Sequence, residues 1–174
     1  LSTSLQPHEE YKDSGIDWLG AIPIDWKLKP GLAAFSENKR TNQGMKEKQV
    51  LSLSYGSIVI KPEEKMTGLM PESFETYQIV EPGDIIIRGT DLQNDKTSLR
   101  TGLVQDRGII TGAYLCLIIA NSFEPRYMHY LLHSLDMSKA IYKLGSGLRQ
   151  NLSYEDFKRL PIIDISKDHQ ILIA

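Results

Sequence analysis

The sequence predicts an α+β domain: a mostly antiparallel, twisted set of strands, with helices toward the C-terminal end. Three observations carry that expectation. Between Trp26 and Ile119 the apolar residues alternate, or run in short blocks separated by Gly, Pro and Asp turns, which is strand periodicity. Helical spacing begins only at Pro125, beyond which Tyr127, Met128, Leu131, Leu132 and Leu135 line one face. The chain has 174 residues, 41% of them hydrophobic, enough for one domain with its own core.

The elements follow in order. Residues to about His8 are polar and expected to fray. From Tyr11 to Trp26 two tryptophans alternate with Gly15, Gly20 and Pro23, an irregular segment pinned by aromatic anchors. Trp26 to Lys29 alternates and reads as a short strand, and Lys39 to Lys48 is a polar loop. Val50 to Tyr55 alternates strictly, a strand with Ser52 and Ser54 on its wet face, and Ser57 to Lys61 is its hairpin neighbour. Lys61 to Glu72 is a loop. Tyr77 to Val80 is a strand, Glu81-Pro82-Gly83-Asp84 a turn, and Ile85 to Ile87 a buried strand.

Gly89 to Thr101 is polar and expected to be mobile. Gly102 to Val104 and Gly108 to Ile110 bracket a turn, and Ala113 to Ile119 is the most apolar strand. Pro125 suits the first turn of a helix. Met137 to Lys143 either continues that helix or forms a second short one. Ser153 with Asp156 has the shape of a capping box, Pro161 ends the turn that it starts, Ile162 to Ile165 is a last strand, and Asp168 to Ala174 opens another helix.

Composition excludes several classes. No apolar run is long enough to cross a bilayer, and the first residues lack the basic and apolar regions of a signal peptide. The lone Cys116 excludes an internal disulfide and a cysteine-rich zinc site, which together suit a cytoplasmic protein. The formal net charge of −2 argues against a protein that simply coats nucleic acid. The charge is unevenly spread: residues 1–26 carry −4 and residues 27–50 carry +4. A near-neutral domain can still present one basic face.

Catalytic patterns are sparse. His129 and His133 stand one helical turn apart, but Tyr130 occupies the place of a zinc protease's glutamate, so a solvated helix face is the expected role. Cys116 lies between Leu115 and Leu117 and is expected to be buried and inert. Glu63-Glu64-Lys65 contains the Glu-x-Lys element of metal-dependent nucleases without an upstream strand-borne aspartate, so a solvated loop is expected. The sequence holds no phosphate-binding P-loop, no Asn/Asp-Pro-Pro-Tyr/Phe tetrapeptide, no methyl-donor glycine turn and no Gly-x-Ser-x-Gly elbow.

The most informative stretch is Gly145-Ser146-Gly147-Leu148-Arg149-Gln150-Asn151, just ahead of the Ser153 helix start. One reading is a helix C-cap running into the next N-cap. The other is a backbone turn that approaches a partner closely, flanked by side chains suited to phosphates and base edges. Similar groups stand in the expected loops at Lys39, Arg40, Arg88, Thr90, Lys96 and Arg100, and Ser54 and Tyr55 close a strand.

In order along the chain, several segments resemble the target recognition domain of the specificity (S) subunit of type I restriction-modification enzymes. They are Tyr11 to Gly20 with Ile22-Pro23 and Trp26, Val50 to Gly56, Tyr77, Gly83 to Arg88, Gly112 to Leu115, Tyr127 to Leu132, the Gly-Ser-Gly turn with Arg149 to Ser153, and Phe157. The similarity runs from about residue 11 to 174. Asp164 to Gln170 departs from the family's proline-rich step and Glu-Gln before its long helix.

The resemblance implies a flexible segment over residues 1–10, a target recognition domain over 11–165, and the start of a spacer helix over 166–174, the chain being a fragment or a half-subunit. It implies sequence-specific recognition of double-stranded DNA, one half of a split target, with no catalysis, cofactor, metal or membrane. Methyltransferase (modification) subunits and a restriction subunit would be the partners. Lys39, Arg40, Ser54, Tyr55, Arg88, Thr90, Lys96, Arg100, Ser146, Arg149, Gln150 and Asn151 are the DNA-binding residues it points to. The alternative is the recognition part of a single-chain DNA methyltransferase or restriction-methylation fusion.

Overall fold

The structure is a computed structural model that describes residues 8–62, 71–92, 94–144 and 151–174. Mostly antiparallel strands form small sheets, and the helices gather near the C-terminus, as the sequence predicts. The central sheet has four antiparallel strands in the order β4 (Phe35–Glu37), β11 (Leu115–Ile119), β8 (Ile85–Ile87), β9 (Thr101–Leu103).

Around that sheet stand four two-stranded ladders. They join β1 (Tyr11–Asp13) to β2 (Ala21–Pro23), β3 (Lys27–Pro30) to β12 (Pro161–Asp164), β5 (Leu51–Ser54) to β6 (Ser57–Ile60), and β7 (Gln78–Val80) to β10 (Gly108–Ile110). The segments at 101–103 and 108–110 are sequence neighbours but do not pair. Each joins a strand from earlier in the chain; Gly83 N–H donates to Val104 O and Val104 N–H to Asp84 O, which aligns β9 with β8 instead.

Side-chain alternation explains why Ile85-Ile86-Ile87 is apolar throughout. Ile85 and Ile87 face the larger core, with Phe35, Leu117 and the helices; Ile86 faces a second core, with Leu51, Val80, Val104, Ile110 and Cys116. All three isoleucines are fully buried, as expected for a strand covered on both faces. Each contributes about 1.5–3 kcal/mol of burial.

Helix α1 (Pro125–Met137) has Pro125 in its first turn and buries Tyr127, Met128, Leu132 and Leu135 against the sheet. Lys139 then takes a left-handed φ of 61° and turns the chain into a 3-10 turn at Ala140–Lys143, so the region after Met137 is a separate short element. At α2 (Tyr154–Phe157) the capping box forms: the Asp156 carboxylate accepts from the Ser153 N–H at 2.8 Å. Helix α3 (Lys167–Ile173) is tied to the start of α1 by the buried Gln170, whose Oε1 accepts from Glu124 N–H at 2.7 Å. No helix among the described residues is long and apolar enough to cross a membrane.

The aromatic anchors near the N-terminus are in place, with Trp18 and Trp26 packed on the larger core. His8 packs edge-on against Tyr11 and Trp26, and Glu10 O accepts from Ile24 N–H at 3.1 Å.

Candidate functional site

The β5–β6 hairpin turns on two residues, Tyr55 (φ 49°) and Gly56 (φ 77°). Two left-handed residues match the right-handed twist of the flanking strands. A tyrosine there costs about 1–2 kcal/mol relative to an extended conformation. That conformation projects a ring that is 96% exposed, the most solvated large hydrophobic side chain described. The hairpin is seated by Leu53 and Ile58, which pack over Gly102 of β9.

Beneath Tyr55 lies a cleft of about 570 Å³ lined by Leu53, Ser54, Arg88, Thr97, Ser98 and Leu99. Its floor is organised by Arg100. That residue is 0% exposed, which corrects its assignment as a DNA contact. Its Nη1 donates to Arg88 O (3.0 Å) and Thr90 O (2.7 Å), its Nη2 to Asp91 O (3.2 Å) and Asp95 O (2.5 Å), and its Nε to Tyr142 Oη (3.0 Å). All five guanidinium donors are consumed inside the protein. The main-chain N–H of Arg100 donates to the buried Asp136 carboxylate at 2.5 Å.

The 89–101 segment, expected to be mobile, therefore wraps its carbonyls around a buried cation. No local pattern announces this, because Tyr142 and Asp136 lie roughly forty residues downstream of the loop they anchor.

Residues Gly89 to Asp91 lie beside 151–152. Leu152 N–H donates to Gly89 O at 2.7 Å, and Asp91 N–H to Asn151 Oδ1 at 3.4 Å. Asn151 thus joins exposed Thr90 and Lys96 on the same side of the domain as the cleft. Ser54, Tyr55 and Arg88 line the cleft, Thr90 and Lys96 stand on the loop between its lining residues 88 and 97, and Asn151 bonds that loop at Asp91. The described charges there balance, Arg88 and Lys96 against Asp91 and Asp95. Ser146, Arg149 and Gln150, with the rest of the Gly145 to Gln150 turn, lie outside the described residues, as does Glu63-Glu64-Lys65.

Lys39 and Arg40 are elsewhere. Arg40 pairs with the Asp84 carboxylate and donates from Nε to Asn38 Oδ1 at 2.7 Å. Asp84 precedes β8 and Arg88 follows it, so Arg40 and Arg88 serve opposite ends of one strand, about 13 Å apart along it. Arg107 extends the Arg40 end to Glu81 and Glu47. Burial pushes the Asp84 carboxyl up, against the Glu81 N–H and Arg40, which both lower it. Burial likewise pushes the Cys116 thiol up, with Asp84 adding to the shift, so the cysteine is inert as expected. Lys39 is exposed and pairs with Glu37.

The two histidines of α1 are half-buried rather than fully solvated. His129 and His133 lie 5.6 Å apart between α1 and the β9 side of the hairpin, and His129 Nε2 is buried with no partner among the described residues. Burial first, then His133, holds His129 below the ordinary histidine value of 6.5. An unfolded chain therefore takes up this proton more readily than the folded one. Stability should hold above about pH 6.5 and fall as pH drops below it toward the folded value. Thermal melts of wild type and His129→Gln across that window check this; equal slopes would refute it. No group of three or more metal-ligating side chains comes together among the described residues.

No protein-family model matches the sequence, and no curated protein matches it. Solved structures do. A chain from a structure of complex assembly and conformational transition in a type I restriction-modification system superposes with a TM-score of 0.59 at 12% identity, covering 94% of this chain and 39% of that one. The HsdS subunit from Thermoanaerobacter tengcongensis gives 0.53 at 14%, covering 94% and 38%. The type I restriction-modification S subunit from M. genitalium gives 0.52 at 15%, covering 86% and 37%. The chain thus spans under two fifths of each neighbour, and what it shares with these S subunits is the fold of that portion.

Proposed function

We propose that this chain is a DNA target recognition domain that reads one half of a split duplex target within a type I restriction-modification specificity subunit. The observation that carries the reading is the fold shared with S subunits over 94% of this chain. The surface built on that fold supports it: an exposed aromatic at a hairpin tip, a cleft below it, and a braced loop carrying Arg88, Thr90 and Lys96. Asn151 stands beside Asp91 of that loop, and Ser146, Arg149 and Gln150 are proposed as further contacts. Modification and restriction subunits would dock on the complete subunit and supply the chemistry.

Lys96 would hold phosphate and set register, a role supported by its exposure and by its having no acidic partner among the described residues. Purified chain should bind duplex DNA with an affinity that falls as salt rises, and should neither cleave nor methylate it with magnesium and S-adenosylmethionine present. Lys96→Ala should weaken all sequences alike and reduce the salt slope by about one unit. Lys39→Ala, at the far end of β8 and already paired, should change that slope less. Binding that ignores salt, or turnover that tracks the pure chain, would overturn the reading.

A further inference from the structure

We infer that Arg88 reads a guanine in the DNA major groove and that Asp95 is its positioning residue, an inference that rests on the DNA-recognition reading above. Residue 88 is tied at three points. Its N–H donates to Arg100 O at 2.8 Å, its carbonyl accepts from Arg100 Nη1 at 3.0 Å, and its Nη2 donates to the Asp95 carboxylate. Asp95 is fixed in turn, because its Oδ1 accepts from Thr97 N–H at 3.2 Å and Ser98 N–H at 2.9 Å. The Ser98 N–H leads the contacts that hold this carboxyl well below the usual range, so it stays ionised beside Arg88. The Asp95 contact therefore fixes one Nη2 N–H of the guanidinium in the cleft under Tyr55, while Nη1 and the second Nη2 N–H, which can act as a two-donor edge, meet no protein acceptor among the described residues.

This arrangement suits a base better than a phosphate. A phosphate contact draws on net positive charge. Asp95 cancels that charge at the guanidinium itself. What remains is a directional set of N–H donors. Of the four bases only guanine offers two adjacent acceptors, O6 and N7, on its major-groove edge; adenine pairs one acceptor with a donor. A held arginine fork selects that edge, and the pre-set orientation spares it the ordering cost that a free side chain would meet on binding.

The experiment selects duplexes from a randomised pool on wild-type chain, then measures binding to the selected duplex and its single-base variants. Arg88→Ala and Arg88→Lys are run beside it, with thermal melts as the folding control. Wild type should require guanine at one position and lose roughly 5- to 150-fold when that guanine is replaced by another base. The same position should be sensitive to a deaza analogue lacking N7. Arg88→Lys keeps the charge and lacks the fork, so it should retain overall affinity and lose this preference. Asp95→Asn keeps the acceptor for Ser98 and removes the charge; it should bind every duplex more tightly and discriminate less.

Equal loss on all duplexes in Arg88→Ala would make Arg88 a phosphate contact and overturn the inference while leaving DNA recognition intact. An unchanged guanine preference in both Arg88 variants would also overturn it. No salt-dependent duplex binding by wild-type chain would remove the functional reading itself, and this inference with it.

Discussion

Arg100→Ala should lower stability by about 3–5 kcal/mol, because several buried acceptors lose a charged hydrogen-bond donor at about 1–3 kcal/mol each. For a chain of this size that is a fall in Tm of roughly 6–20 °C. Three backbone carbonyls, at residues 88, 90 and 91, would lose this donor together, as would the Tyr142 hydroxyl, while Asp95 O would keep only the Tyr142 hydroxyl. An unsatisfied buried polar group costs about 1–3 kcal/mol, and the loop would relax to recover part of that.

Arg100→Lys should recover little, because three ammonium donors cannot serve five acceptors set in a fork. Asp136→Asn keeps an acceptor for the Arg100 and Thr101 N–H groups and should cost less than either. Thermal melts of the three variants decide the order. A Tm for Arg100→Ala within about 2 °C of wild type would show that the loop does not depend on the guanidinium.

Gly31→Ala should be the most damaging substitution among the described glycines, by about 3 kcal/mol or more. Its backbone is not left-handed, so conformational strain is not the reason. A Cβ at this position would lie 1.9 Å from Phe157 O, a main-chain atom that no rotamer change can move aside. Gly31 follows β3, which pairs with β12, and Leu32 N–H donates to Lys158 O at 2.9 Å. Relief would require α2 or the β3–β12 ladder to shift, in a core packed to crystal-like density. Gly44→Ala is the control: its φ is 80°, with nothing within 4 Å of the added carbon, so it should cost only about 1 kcal/mol of strain. Urea midpoints measure both. Equal midpoints would show that the chain can part around residue 31.

Much of the fold is legible where one short window contains its own cause. The Ser153 capping box, Pro125 at a helix start, the three buried isoleucines of β8 and the strict alternation of β5 each report locally, and each forms. The strands at 11–13, 21–23 and 35–37 are not legible, because three residues carry too little periodicity and long-range pairing makes them strands. Pairing order is equally hidden: β10 joins β7 across a turn that, in the sequence, points to a partner nearer by.

At the candidate site, residue type is a fair guide to exposed positions such as Tyr55, Thr90 and Lys96. It fails for Arg100, because a guanidinium that gathers carbonyls and one that binds a phosphate look alike in a sequence. It fails for the α1 histidines too, since a second layer, the β5–β6 hairpin, covers the flank that a single apolar stripe leaves polar.

The hairpin tip has a consequence for how such a domain can change. Tyr55 touches solvent almost everywhere, and Thr90 and Lys96 are exposed on a loop whose shape is held by Arg100 from below. Shape and surface chemistry are thus assigned to different residues. Substitutions at 55, 90 or 96 leave the buried brace intact, and the tyrosine's left-handed backbone is suited even better by asparagine or glycine. The surface can drift through many side-chain combinations while the scaffold stands still. New binding preferences would then arise by replacing a few outward-facing letters, without passing through an unfolded ancestor.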